Sequence, residues 1–160
     1  PSTGMALPMV NLEAISVQQR DAVVQSLVYS YVRDRETFNQ LDNDVRVRSV
    51  LERSSGAALE SMRSLWSSEN PDYPERKYGP RARMDVEVLS VTLITEDRAT
   101  VRIRKRLADD DGVTQGLFTV TLAFRYETTE ARSLDEVWTN PFGFSVYEYG
   151  IASDRLEDHQ

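Results

Sequence analysis

The sequence predicts an α+β fold in which three N-terminal helices pack on a curved, four-stranded antiparallel sheet. Three observations carry this reading. Apolar residues between positions 17 and 66 recur at helical spacing, those after residue 83 alternate at a spacing of two, and a proline-bearing connection separates the two halves.

Each element follows from local chemistry. Residues 1–15 contain Pro1, Gly4 and Pro8, lack periodicity, and read as a flexible arm. Ser16 with Gln19 three positions on is a capping-box pair. Val17, Val24, Leu27, Val28, Tyr31 and Phe38 then mark a long amphipathic helix over residues 17–38. Asp42 and Asn43 can cap a second helix over 43–53, with Val47, Val50 and Leu51 inward. Ser54 or Ser55 can cap a third over 56–67, carrying Ala58, Leu59, Met62, Leu65 and Trp66. Residues 68–83 hold three prolines and a glycine, so a loop without helix is expected there.

The strands come next. Met84 to Ile94 is the first, and a change of apolar parity at Val88-Leu89 predicts a bulge. In the second, Ala99 to Leu107, the residues Ala99, Val101, Ile103 and Leu107 face one way, while Thr100, Arg102, Arg104 and Arg106 face the other. Asp109-Asp110-Asp111-Gly112 is a hairpin turn leading to the third strand, Leu117 to Tyr126. Glu127 to Asp135 is a polar connection, and Phe144 to Ile151 is the last strand. A curved sheet wrapped around the long helix buries both the helix stripe and one sheet face, which is the cone-like NTF2-type arrangement. The domain expectation is a flexible arm over 1–15, a single domain over 16–152 and a charged tail over 153–160.

Composition narrows the function. The 160 residues are 40% hydrophobic and 28% charged, ordinary for a globular domain. The formal net charge of −7 argues against a nucleic-acid-binding domain. There is no Cys, and the one His is His159, which excludes cysteine nucleophiles and thiolate metal sites and argues against Ser-His-Asp catalysis. No metal and no cofactor are expected. No run of ~18 apolar residues exists to span a membrane, and the start at Pro1 rather than Met reads as a piece of a longer protein.

Several clusters could carry chemistry, and each has a plainer reading. Arg102, Arg104, Lys105 and Arg106 form a basic stripe. A charged, solvent-facing strand balanced by acids such as Asp85 or Glu87 explains it; a nucleic-acid contact through Arg102, Arg104 and Arg106 is the weaker alternative. The acids Asp109, Asp110 and Asp111 lack the spacing of a calcium loop and read as a solvated hairpin tip. Asp85, Glu87, Tyr31 and Tyr126 would be the candidates for an enzymatic or small-ligand pocket in such a cone, although nothing in their spacing marks an acid–base pair.

The most specific stretch is Asn140-Pro141-Phe142-Gly143-Phe144. Asn140 can bond backbone two residues on, Pro141 presets φ at the second turn position, and Gly143 suits the fourth position or a positive φ. The surroundings are aromatic rather than polar: Trp138, Phe142, Phe144, Tyr147 and Tyr149. Such a turn packs against the body of the molecule or a partner, and Tyr and Trp are enriched at interfaces.

Here the chain resembles the VirB8 family of bacterial type IV secretion systems. The resemblance rests on Asn140-Pro141-Phe142-Gly143-Phe144, which looks like that family's Asn-Pro-x-Gly signature, with Val146 and Tyr149 following. Tyr31 to Phe38, Val47-Arg48-Ser49 and Ala99 to Arg102 support it. Phe142 where the family commonly has Leu, and Gly150-Ile151 after the final tyrosine, mark a divergent member. The resemblance implies an NTF2-like periplasmic domain of a single-pass inner-membrane protein, with a transmembrane helix upstream of Pro1. It implies a non-catalytic scaffold of a conjugation-type channel that forms a weak homodimer and contacts other channel subunits. The expected interface residues are Asn140, Pro141, Phe142, Gly143, Phe144 and Glu148, with Arg33 and Arg35 as partners for Glu148 across a dimer.

Overall fold

The computed structural model describes residues 16–127 and 133–154, and its first helix begins where the capping pair predicts. The Ser16 hydroxyl accepts the Gln19 amide at 3.2 Å, and the Gln19 side chain accepts the Ser16 amide at 3.3 Å. Helix α1 runs Val17–Glu36, two residues short of the expected end. Thr37 is extended, and both its amide and its hydroxyl turn back to the Arg33 carbonyl. Phe38 therefore leaves the helix and, with Asn39, forms strand β1 (Phe38–Asn39).

Helices α2 (Asn43–Glu52) and α3 (Gly56–Leu65) follow. Asp42 and Ser55 occupy the N-cap positions of these helices, but neither side chain caps the backbone. Asp42 instead pairs with Arg46 one turn on, and Ser55 meets Ser145. The connection expected to be loop contains a short helix, α4 (Pro74–Tyr78). Pro74 stands in its first turn, where the missing N–H has no intrahelical acceptor to lose, so the proline starts the helix instead of forbidding it.

Strands β2 (Arg83–Thr95), β3 (Arg98–Asp109), β4 (Gly112–Tyr126) and β5 (Phe144–Ser153) complete the sheet. Its order is β1-β2-β3-β4-β5 with every pair antiparallel, so it has five strands rather than four. The extra strand pairs Phe38 with Met84 and Asn39 with Arg83. The bulge expected at Val88-Leu89 is present, a second lies between Leu93 and Thr95, and the β4–β5 register shifts at Ala123. Extra residues on one strand bend and twist the sheet, which lets it curl around α1.

The core lies in that curl. Val24, Val28, Tyr31 and Val32 of α1 meet Ala99, Val101, Ile103, Val120, Leu122, Phe124, Phe144 and Val146 of the sheet. Each Val- or Phe-sized side chain removed from water contributes ~1.5–3 kcal/mol. Strand β5 is also tied to the helical side: the Val146 amide donates to the Arg53 carbonyl at 2.9 Å, and the Ser55 amide donates to the Val146 carbonyl at 2.8 Å. The connection after β4 holds a further helix, α5 (Leu134–Thr139), which the polar composition concealed. The expected arm at 1–15 and the tail beyond Asp154 lie outside the described residues; Ser153, assigned to that tail, closes β5.

Candidate interaction site at the Asn-Pro-Phe-Gly turn

The turn is built by bonds that only this composition supplies. The Gly143 amide donates to the Asn140 carbonyl at 3.1 Å, closing a four-residue turn with Pro141 at its second position. Asn140 acts differently from the local bond expected of it. Its amide donates to the Phe144 carbonyl at 2.9 Å, and its Oδ1 accepts the Phe144 amide at 3.0 Å. The side chain thus serves both backbone groups of the first residue of β5, as a neighbouring strand would.

Gly143 has φ of +66°, and its carbonyl accepts the Glu127 amide at 2.7 Å. A Cβ there would sit 1.9 Å from the Glu127 carbonyl oxygen, so no side chain fits. The close approach joins the end of β4 to the start of β5. Phe144 then enters the core beside Phe124 (centroids 5.3 Å), Tyr126 (6.0 Å) and Tyr31 (6.4 Å). Pro141 and Phe142 are partly exposed on the outer side of the turn.

Helix α5 precedes the turn and has no counterpart in the pattern of apolar residues. A sign of it is nonetheless legible: Ser133 and Glu136 form a capping box, with bonds of 3.1 and 2.8 Å. Val137 faces inward, while Leu134 (59% exposed) and Trp138 (72% exposed) point to solvent. An exposed Trp on a short helix beside a hydrogen-bonded turn is large, stiff contact area. A groove of about 570 Å³ runs between this helix, α1 and α2, lined in part by Asp34, Arg48, Glu52, Asp135 and Asn140.

The charged residues expected at an interface find partners inside the chain. Glu148 pairs with Arg98 at 3.2 Å, both about half exposed. Arg33 lies over the Tyr29 ring and 3.7 Å from Asp34. Arg35 is the most engaged: it donates to the Tyr31 hydroxyl (2.9 Å), the Ala58 carbonyl (3.1 Å) and the Ser61 hydroxyl (2.8 Å), and stacks 4.0 Å over Tyr149. Beside it Glu36 accepts the Tyr149 hydroxyl at 2.6 Å and pairs with Lys105 at 2.6 Å. Burial, and then the Glu36 carboxylate, push the Tyr149 hydroxyl well above its ordinary range, so it is a permanent donor. This polar cluster fastens the end of α1 to β3 and β5.

The other candidates separate. Asp85 pairs with Arg83 and Glu87 with Arg104 on the outer sheet face, whereas Tyr31 is buried and bonded to Ser54. Those residues do not converge on one cavity with Tyr126. The concave interior is plugged by Tyr31, Phe124 and Phe144. In the arginine stripe, Arg102 pairs with Asp154 at 2.9 Å and Arg104 with Glu87 at 2.7 Å. The bonds from Arg102 and Thr119 hold the Asp154 carboxyl below its usual range. Cations so balanced present little net field to a phosphate backbone. Among the described residues, no cluster of His, Cys, Asp and Glu is arranged to hold a metal, and no helix is long and apolar enough to cross a membrane.

Comparison with known proteins follows the same lines. A family model described as VirB8 protein matches residues 1–154. The chain is 33% identical over 91 residues to the type IV secretion system protein PtlE of Bordetella pertussis, covering 55% of this chain and 39% of that relative. It is 25% identical over 149 residues to protein virB8 of Agrobacterium tumefaciens, covering 93% of this chain and 64% of that relative. The chain therefore spans only part of the length of these relatives. In fold it is similar to the structure of Agrobacterium tumefaciens VirB8, with a TM-score of 0.78 at 23% identity, over 88% of this chain and 96% of that one. It is likewise similar to a TrwG component of the type IV secretion system from Bartonella birtlesii, with a TM-score of 0.75 at 24% identity, over 83% and 92% of the two chains.

Proposed function

The chain belongs to the VirB8 family, and from that premise we propose that it is the periplasmic assembly module of a single-pass inner-membrane component of a conjugation-type type IV secretion channel. It acts without catalysis, through contacts with a second copy and with other channel subunits. The observation that carries the assembly role is the exposed Leu134–Trp138 face of α5, held by the bonded turn over Asn140–Phe144. Rigid aromatic surface beside a preorganised loop is what a protein interface uses for affinity.

Apolar burial there supplies the association energy. Exposed ion pairs such as Arg98–Glu148 add only ~0–1 kcal/mol, so the homodimer is weak. For Glu148 to pair with Arg33 across a dimer, it would exchange Arg98 for the partner's cation, at little net cost. Arg35 is held by its own chain and positions α1 instead of reaching across.

The test is a Trp138→Ser, Leu134→Ser double variant in the full-length protein. Self-association by light scattering over a concentration series, and transfer of the secreted or conjugated substrate in cells, should both fall while the thermal midpoint is retained. Unchanged transfer and unchanged association would remove this face from the assembly.

A further inference from the structure

Strand β5 ends the sheet, so one of its edges faces no strand. The first half of that edge is closed by the helical side, where Val146 bonds to Arg53 and Ser55. The second half is open. The Asp154 amide donates to the Leu117 carbonyl at 2.8 Å, and backbone groups alternate sides along an antiparallel strand, so Ala152 and Gly150 face β4. The N–H and C=O groups of Tyr149, Ile151 and Ser153 therefore point away from the sheet, and none has a hydrogen-bond partner among the described residues. Gly150 to Ser153 are all exposed, and a Cβ at Gly150 would meet nothing within 4 Å. Open edges are ordinarily protected by a charge, a proline or a bulge. Tyr149-Gly150-Ile151-Ala152-Ser153 carries no charge and no proline, and its register with β4 is unbroken from Glu148 to Ser153. The opposite edge of the sheet is treated differently: β1 pairs with the start of β2, Asp85 and Glu87 follow, and Gln25 of α1 donates to the Val91 carbonyl at 3.4 Å.

We propose that the edge over Tyr149–Ser153 pairs antiparallel with the same stretch of a second copy, about a two-fold axis through Ile151. In that register Tyr149 meets Ser153 of the second copy and Ile151 meets Ile151, so the outward N–H and C=O groups of all three residues find partners. The stretch is suited to lying against itself, because no like charges are brought together between Tyr149 and Ser153. At either end Glu148 falls beside Asp154 of the second copy. Each is already held by its own arginine, Glu148 by Arg98 at 3.2 Å and Asp154 by Arg102 at 2.9 Å, so the ends meet as neutralised pairs. Five residues a side make a small contact, weak in free solution and stronger between copies already held together. The contact lies on a different part of the molecule from the α5 face and does not depend on it. Where both operate, one chain touches two neighbours and assembly extends beyond a pair.

The absence of Cys makes the test direct. Ile151→Cys, Ala152→Cys and Val113→Cys are made singly in the 160-residue chain, with Leu134→Ser and Trp138→Ser added to each so that the α5 face contributes nothing. All three thiols replace exposed residues. On the two-fold axis the two Cα atoms at position 151 stand ~5.5 Å apart, within disulfide range. Those at position 152 stand ~8 Å apart, from two residues of rise and one strand spacing, which is beyond it. Disulfide-linked dimer, followed on non-reducing gels, should form about tenfold faster with Ile151→Cys than with either other variant. Adding Ser153→Pro should return Ile151→Cys to the slower rate, since it removes an outward N–H that the fold does not use and an edge strand accepts proline there. No preference for position 151 overturns the proposal. A preference that survives Ser153→Pro also overturns it, because chance collision of exposed thiols then explains the linkage. If circular dichroism shows that Ile151→Cys disturbs the fold, amide exchange is measured by NMR on the unsubstituted chain. The Ile151 and Ser153 amides should exchange about twofold slower at about 1 mM than at about 20 μM protein, and equal rates overturn the proposal.

Discussion

Gly143 is the residue on which the turn depends. Its φ of +66°, and the 1.9 Å that would separate a Cβ at this position from the Glu127 oxygen, mean that any side chain must displace backbone. Gly143→Ala should therefore cost more than ~2 kcal/mol, above the ordinary range for a surface turn, and urea denaturation would measure it. A loss under ~0.5 kcal/mol, the range of ordinary surface substitutions, would show that the β4 end moves aside freely. Asn140→Ala removes two bonds to Phe144 and should cost ~1–3 kcal/mol, because the strand's first N–H and C=O lose their partner. Tyr126 offers a pH test. Its hydroxyl is raised from an ordinary value of 10.0 to about 12. A group held protonated in the fold contributes stability that is complete below its unfolded value. That contribution is lost as pH climbs from about 10 toward about 12. The drop in urea midpoint between pH 9 and pH 11 should then be smaller in Tyr126→Phe than in the parent, and an equal drop would assign the alkaline sensitivity elsewhere. The type, position and turn role of Asn140, Pro141 and Gly143 are legible in the sequence. The reach of Asn140 to Phe144 is not, because it depends on where the chain goes after the turn.

Among the elements, α5 shows most clearly what pattern reading overlooks. Six residues are too few to display a helical apolar period, and the stretch leading into them is polar. The Ser133–Glu136 capping box is the available sign. Ser133→Ala should destabilise the domain by about 1 kcal/mol and loosen the presentation of Trp138, read as a fall in self-association at unchanged Trp138 exposure to quencher. The short helix Pro74–Tyr78 is hidden for the opposite reason: proline breaks a helix interior, yet the first turn accepts one. The early end of α1 is tertiary in origin, since Phe38 packs against Trp66 and Tyr78 and pairs with Met84.

For the whole molecule, the outer sheet face is a lattice of opposite charges. Arg83–Asp85, Arg98–Glu148, Arg102–Asp154 and Arg104–Glu87 are all ion pairs. With the net charge of −7, this predicts no retardation of single- or double-stranded DNA in a gel at about 50 mM salt. Binding abolished by Arg102→Ala and Arg104→Ala would reverse that expectation. The surface around α5 differs in carrying exposed apolar area in Leu134 and Trp138, the area that the proposed assembly would use.

The sequence by itself determined the α+β class, the order of three long helices and four long strands, the Val88-Leu89 bulge and the inward and outward faces of β3. Those features are local: helical and strand periods, capping pairs and turn residues act within a few positions along the chain. Only the tertiary structure decided the two-residue fifth strand, the double clamp of Asn140 on Phe144, the internal engagement of Arg35 and Glu148 and the exposure of Trp138. Each depends on which segments curl together. A carboxylate, a guanidinium or an indole carries no mark in the sequence of whether its neighbour in space is its own chain, water or a partner.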